Sequence, residues 1–187
     1  DGAKIWELLQ HPENTKYAYL VLRHSSQTLL APQEYDLKDF IVPVDEDARG
    51  SFAESIQIFQ GLVFIFDGQI ETAKKHFQFL LDKTDNPMSQ TLSQLYLLQI
   101  ALLERDHEKA EEYASNRGVK SFLSLKMADT QIMQAWYQFL VKKDRDQTDK
   151  AIKIARKNMV TSRLVRDEKR YYENWLAELE KELSEGV

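Results

Sequence analysis

The sequence contains no cysteine, and this absence excludes several kinds of protein. A chain without cysteine has no disulfide scaffold, no thiolate zinc site and no cysteine nucleophile. It also lacks a glycine-rich phosphate-binding loop, a GxGxxG dinucleotide-binding motif and the GxSxG motif of serine hydrolases. We therefore expect that the protein is not an enzyme and that it needs no cofactor.

Glycine and proline are scarce, with six and four residues in a chain of 187. Runs of alternating β-branched residues are also rare, which together predicts an all-α protein. Long apolar runs are missing as well. The longest, YLLQIALL, is much shorter than the roughly 18 residues that span a bilayer, so we expect no direct membrane insertion.

The charge of the chain gives no global attraction to nucleic acid. The net charge is −5, and 43% of the residues are hydrophobic, which is enough for a substantial core. We expect a cytoplasmic protein that does not bind nucleic acid. Because the chain begins at Asp1 and not at Met, we also expect a fragment whose preceding segment could carry an anchor, a signal or a DNA-binding domain.

The pattern along the chain predicts one helical domain over residues 1–187 with four parts. Residues 1–30 form N-terminal helices, one of them from Thr15 to Leu30, and residues 31–49 are a connection with one helical turn near Leu37. Paired helices fill residues 51–160, and a long amphipathic helix covers residues 162–184.

Individual residues mark the ends of the predicted helices. Ser51 and Glu54 have the spacing of a capping box, and Gly68 follows Asp67 in a turn. Asp106 is expected to cap the helix that follows it. Gly118 is expected to end that helix in the left-handed conformation.

The paired helices repeat a pattern of small residues. Ala73, Ala110 and Ala151 each stand near the start of a second helix, at intervals of 37 and 41 residues. Four residues after each of them stand Phe77, Ala114 and Ala155. Intervals of this length are typical of stacked helix-turn-helix repeats.

At these positions the chain resembles the tetratricopeptide repeat family over about residues 51–160. Gly61, Phe64, Gly68, Ala73 and Phe77 match the small, aromatic and turn positions of that family. Later units depart from it, because Leu98 and Phe139 replace the small residue. The resemblance implies an α-solenoid of antiparallel helix pairs, with the C-terminal helix as its cap.

The resemblance also implies a groove lined by the first helix of each pair. Its expected lining is mostly apolar, so a hydrophobic helix or peptide should fill it, either from a partner or from the N-terminal helices of this chain. Trp136 is the expected anchor. The nine residues are Ile58, Leu62, Ile65, Leu95, Gln99, Leu102, Met133, Trp136 and Leu140.

Metal-binding patterns are missing. No two of the four histidines stand three or four residues apart, and the carboxylate pairs resemble solvated helix faces. We therefore expect no metal site.

One charge feature stands out near the C-terminus. Between Lys142 and Arg170 there are eleven basic and five acidic residues. This surplus indicates either a solvated helix face or a surface that binds an acidic partner, an anionic lipid or RNA. The candidate basic surface consists of Lys150, Lys153, Arg156, Lys157, Arg163 and Arg166.

These features favour a non-catalytic module that binds another protein or peptide, as a scaffold or adaptor does, with homo-oligomerisation left open. One alternative is the ligand- or peptide-sensing domain of a larger bacterial regulator. Another is the soluble domain of a membrane-anchored assembly protein. An enzyme would instead require a deep polar pocket with perturbed carboxylates, and no motif in the sequence points to one.

Overall fold

A computed structural model of the protein describes residues 6, 8–45, 48 and 50–185. Within these ranges the chain is helical, contains no strand, and packs neighbouring helices against one another. The predicted all-α class is therefore confirmed. Residues 8–10 are helical, while half of the short helix that the sequence predicts over residues 3–10 lies outside the described residues.

Nine α-helices are described in this part of the chain, and the first has the predicted bounds. The helices are α1 (Thr15–Leu30), α2 (Ser51–Phe66), α3 (Ile70–Lys83), α4 (Pro87–Leu103), α5 (His107–Ser115), α6 (Arg117–Leu123), α7 (Ala128–Tyr137), α8 (Arg145–Met159) and α9 (Arg166–Glu185). A π-helical turn, Gln138–Lys142, extends α7. Short 3-10 helices cover Pro12–Asn14, Pro32–Glu34 and Leu37–Phe40.

Two glycines shape the junction of α2 and α3. Gly68 has φ +73° in the turn between them, a conformation that other residues rarely adopt. A Cβ atom on Gly61 would lie 2.4 Å from Cζ of Phe77 in α3. The missing side chain therefore admits the Phe77 ring, which is fully buried beside Ala73.

The start of α2 differs from the predicted capping box. Gly50 is the N-cap and Ser51 is the first helical residue. Glu54 is buried and accepts hydrogen bonds from Thr84 Oγ1 at 2.8 Å and from Ser89 Oγ. Its carboxylate thus ties α2 to the end of α3 and the start of α4, a role that local spacing does not indicate.

Gly118 is also placed differently from the prediction. It lies within α6, and the glycines with positive φ in the described chain are Gly50 and Gly68. Asn116 ends α5 and caps α6, because its Oδ1 accepts from the N–H of Gly118 at 2.8 Å and that of Val119 at 3.3 Å. The sequence correctly predicted that a helix ends near this point, but Asn116 and not Gly118 forms the boundary.

The connection between α1 and α2 contains the expected helical turn. Leu37 and Phe40 in that turn are fully buried. The N–H of Leu37 donates to both carboxylate oxygens of Asp167, at 3.0 and 3.1 Å. The backbone N–H of Arg166 donates to the backbone carbonyl oxygen of Tyr35 at 3.0 Å. The start of α9 therefore holds this segment in place.

Helix α9 supplies much of the core. It begins at Arg166, four residues later than predicted, and packs on α7, α8 and α2. Its buried apolar residues are Tyr172, Trp175, Leu176, Leu179 and Leu183. Among the described residues, no helix combines the length and apolar character that crossing a membrane requires.

Candidate functional site

The nine predicted groove residues all lie in the protein interior. Their exposed fractions range from 0% for Gln99 and Met133 to 6% for Ile58 and Leu140. Together they therefore do not form an open groove in this conformation, although Ile65 borders a surface pocket beside α9. Whether they bind a partner stays a prediction, and such binding requires the segments that cover them to move.

We call the nine predicted groove residues the buried row, or the row. Helix α9 covers its C-terminal part. The Trp136 ring stacks on Trp175 with centroids 5.8 Å apart and an interplanar angle of 18°. Nε1 of Trp136 donates to the backbone oxygen of Trp175 at 3.2 Å. Trp136 thus holds the C-terminal helix of the same chain, and its role as an anchor for a partner stays a prediction.

The one polar member of the row is satisfied by the same helix. Nε2 of Gln99 donates to the hydroxyl of Tyr171 at 3.3 Å, and the hydroxyl of Tyr172 donates to Oε1 of Gln99 at 3.2 Å. A buried amide requires such partners. Gln99 therefore fixes the position of α9 and is not available to a ligand.

The N-terminal part of the row is covered by other residues of the chain. Ile58 and Leu62 pack with Leu37 of the connection and Val165 before α9. Helix α1 instead packs on the first turns of α2, where Tyr17 and Leu20 meet Phe52, Ala53 and Ile56. The described part of α1 therefore packs on the start of α2, and whether the N-terminal helices or a partner occupy the predicted groove stays a prediction.

The six residues of the basic surface are exposed, but two of them are already paired. The guanidinium of Arg156 makes two bonds to Glu180, at 2.5 and 2.6 Å, and that of Arg166 bonds Asp36. No described residue forms an ion pair with the remaining four, which are Lys150, Lys153, Lys157 and Arg163. These four are the free positive charges of the surface.

Sequence reasoning missed an exposed apolar stripe on the outer side of α1. Tyr19, Leu22, Leu29 and Leu30 are 63%, 64%, 59% and 84% exposed. The opposite side of α1 is buried on α2, so the helix is apolar on both sides. The signal was present in the sequence, since a helix that packs on one neighbour needs only one apolar face.

A polar cleft lies between α1, the start of α7, the loop after α8 and the first turn of α9. Its volume is about 450 Å³. The lining consists of His24, Thr28, Lys126, Met127, Ala128, Asp129, Asn158, Thr161, Ser162, Arg163, Leu164 and Glu168. We call this feature the polar cleft.

Burial perturbs three titratable groups in the polar cleft. It raises the pKa of Asp129 above its usual range, and it raises the pKa of Glu168 to about 7. Burial also lowers the pKa of His24, whose ring lies 4.5 Å from that of Phe59. A polar cleft with perturbed carboxylates is the feature that the enzymatic alternative requires.

No sequence motif joins these residues. Asp129 and Glu168 each stand in the first turn of a helix, where acidic residues are common, and they are far apart in the chain. Tertiary packing alone brings them together.

The histidines do not form a metal site in the described part of the chain. His76 is partly buried, with Nε2 2.8 Å from the oxygen of Gln57, and burial lowers its pKa. Among the described residues, no group of three or more histidine, aspartate or glutamate side chains is placed to hold a metal ion.

Comparison with family models, with curated proteins and with solved structures gives no match to this chain.

Proposed function

We propose that this chain is a non-catalytic protein-interaction module built from repeats of the tetratricopeptide type over residues 51–160. The buried state of Ala73, Ala110 and Ala151, and the fit of Phe77 against Gly61, support this assignment. Small residues at these positions allow neighbouring helices to approach closely. Successive contacts from α2 to α6 agree with a stacked order.

The exposed stripe on α1 is the observation that carries the proposal. Four large apolar side chains on one side of α1 form the kind of patch that marks an interaction site. In a stack of helices, such a face is where a further helix packs. We infer that this further helix comes from a partner protein and presents its own apolar face to α1.

Charge complementarity indicates that the partner helix is acidic. Helix α1 contains Lys16 and Arg23 and no carboxylate. Arg163 of the basic surface lines the polar cleft together with Thr28 of α1, so the basic surface borders this helix. Complementary charges mainly increase the association rate and the specificity of binding.

Binding in the predicted groove is less well supported, because α9 would have to leave its place. Leaving would expose Trp175 and four further apolar side chains and break the bonds of Gln99. Catalysis is also less well supported. The hydroxyls of Thr28 and Ser162 donate to backbone oxygens and not to a base.

Site-specific cross-linking followed by reconstitution tests the proposal. A photoreactive residue replaces Ser26, an exposed position on α1, or Ser121, an exposed position on α6, as the control. The cross-linked segment of the partner is then made as a peptide. We expect it to bind the purified chain with an affinity that decreases as salt is added.

Charged substitutions in the stripe provide the decisive comparison. Leu22→Glu is expected to weaken peptide binding by about tenfold or more, because it places a carboxylate in the apolar contact. Phe79→Glu, at another exposed apolar residue on α3, should leave binding unchanged. Cross-links only between copies of this chain, or equal effects of both substitutions, would contradict the proposal.

A further inference from the structure

The polar cleft lies outside the apolar contact proposed between α1 and a partner helix, although Arg163 at its edge also belongs to the basic surface. It faces His24 and Thr28, while Leu22 and Leu29 lie on the other side of α1. Its volume of about 450 Å³ falls within the range of pockets that hold small organic molecules.

Two carboxyl groups in the cleft lack a counter-ion. Asp129 Oδ1 is buried and has no hydrogen-bond partner. Glu168 Oε2 accepts from the N–H of Val165 at 3.0 Å, and this is the one hydrogen bond of its carboxylate to the described residues. Lys126 and Arg163 line the cleft, yet within the described chain no cationic group lies within 4.0 Å of either carboxyl. Buried carboxylates are normally paired with a cation, and these two have no such partner among the described residues.

The pKa shifts agree with this geometry. Burial raises the pKa of Glu168 to about 7, and the negative charges of Asp167 and Asp129 act in the same direction. Burial likewise raises the pKa of Asp129. A bound cation would favour the ionised forms and lower both pKa values.

Other lining groups can accept hydrogen bonds or contact an apolar body. Thr28 Oγ1 donates to the backbone carbonyl oxygen of His24 at 3.0 Å, and Ser162 Oγ donates to the backbone carbonyl oxygen of Met159 at 2.9 Å. Their protons are therefore used, and their lone pairs remain available as acceptors. Burial lowers the pKa of His24, so its neutral ring does not repel a cation at pH 7. Met127 and Leu164 add apolar surface to the wall of the cleft.

We propose that the polar cleft binds a small primary amine with an apolar body, and that Asp129 and Glu168 hold its ammonium group. An ammonium has three donors, which suits this set of oxygen acceptors. A metal ion fits less well, because the described residues provide no cluster of three ligating side chains. The amine can be a free small molecule or the N-terminus of a peptide.

Titrations of the purified chain with matched probes test this inference. Benzylamine is compared with benzyl alcohol, which has a similar shape and no charge, and leucylalanine with its N-acetylated form. We expect the amine, and not the alcohol, to shift the amide resonances of residues 24–28, 127–130 and 161–168. Tighter binding of leucylalanine than of benzylamine would identify a peptide N-terminus as the ligand, and the reverse a free amine.

Neutral variants of the two carboxyl groups give the second arm. Glu168→Gln and Asp129→Asn should each weaken amine binding by about tenfold, since each removes a charge and keeps the shape. Glu178→Gln, at an exposed position of α9, is the matched control and should bind as the wild type does. Circular dichroism verifies that each variant is folded.

The pH dependence gives a third readout. Amine binding should weaken as the pH falls below about 7, because Glu168 then takes up a proton. Asp129 and His24 also face the cleft, and Lys126 and Arg163 stay charged throughout this range. Equal shifts with benzylamine and benzyl alcohol, no shift with either, or full binding by both neutral variants would overturn the inference. None of these results depends on whether a partner binds α1.

Discussion

At the scale of single residues, Gly61 shows how an absent side chain sets the distance between two helices. Because Gly61 has no Cβ, the Phe77 ring fits beside it. A Cβ atom at this position would lie only 2.4 Å from Cζ of Phe77. Glycine costs a helix up to about 1 kcal/mol relative to alanine. The contact with the buried ring of Phe77 offsets this cost. The space left by Gly61 fits this ring.

Gly61→Ala is therefore expected to lower the free energy of unfolding by about 1–2 kcal/mol. Overpacking a core typically costs about 1–3 kcal/mol, which exceeds the gain of up to about 1 kcal/mol in helix propensity. Urea unfolding measures the difference.

The Phe77→Leu background is the control for this substitution. There the added methyl group has space, so Gly61→Ala should be neutral or stabilising, and the two changes should not be additive. A Gly61→Ala variant as stable as the wild type would show that the two helices can move apart without cost.

At the scale of helices, the sequence predicts that α9 exists but not the surface against which it packs. Its stripe of apolar residues predicts an amphipathic helix, and the helix spans Arg166–Glu185. The stripe does not reveal which surface it covers. That surface is the row from Leu95 to Leu140, because Gln99 and Trp136 provide hydrogen bonds that only this helix meets. Partners so far apart in sequence leave no local pattern.

Trp175→Ala is expected to destabilise the protein by about 3–5 kcal/mol. The substitution removes a buried aromatic side chain and leaves the Trp136 ring without its stacking partner. The midpoint of urea unfolding, followed by circular dichroism, checks this value.

Asn174→Ala is the matched control on the same helix. Asn174 is exposed, so its replacement should change the stability by no more than about 0.5 kcal/mol. Similar small effects of both substitutions would mean that α9 is only loosely attached.

At the scale of the whole molecule, the sequence predicted helices and their order better than their contacts. The bounds of α1 and the turn near Leu37 follow from local patterns, and both are present. The polar cleft could not be found in this way, since Asp129 and Glu168 resemble ordinary acidic residues at helix starts. Likewise, Glu54 suits a local capping box, and only packing shows that it bonds Thr84 and Ser89.

Asp167 in α9 binds the connection between α1 and α2 through the backbone N–H of Leu37, so its replacement should affect Leu37 directly. In Asp167→Ala the buried N–H of Leu37 loses its acceptor, which typically costs about 1–3 kcal/mol. We expect faster hydrogen exchange at the Leu37 amide and a lower unfolding midpoint.

Asp149→Ala is the control for this change. Asp149 is exposed, and its one ion pair to the described residues is with Arg145 on the same helix, so its loss should have little effect. Unchanged exchange at Leu37 in Asp167→Ala would show that the connection is held mainly by its buried apolar residues.

The link between Leu37 and Asp167, 130 residues apart, also affects how the protein is made. At typical rates of translation, roughly ten seconds pass between the emergence of Leu37 from the ribosome and that of its acceptor. During this interval the nascent chain exposes Leu37, Phe40 and the tryptophan-containing row that α9 later covers. A chaperone that shields apolar segments co-translationally should therefore matter more for the yield of this protein than its modest size suggests.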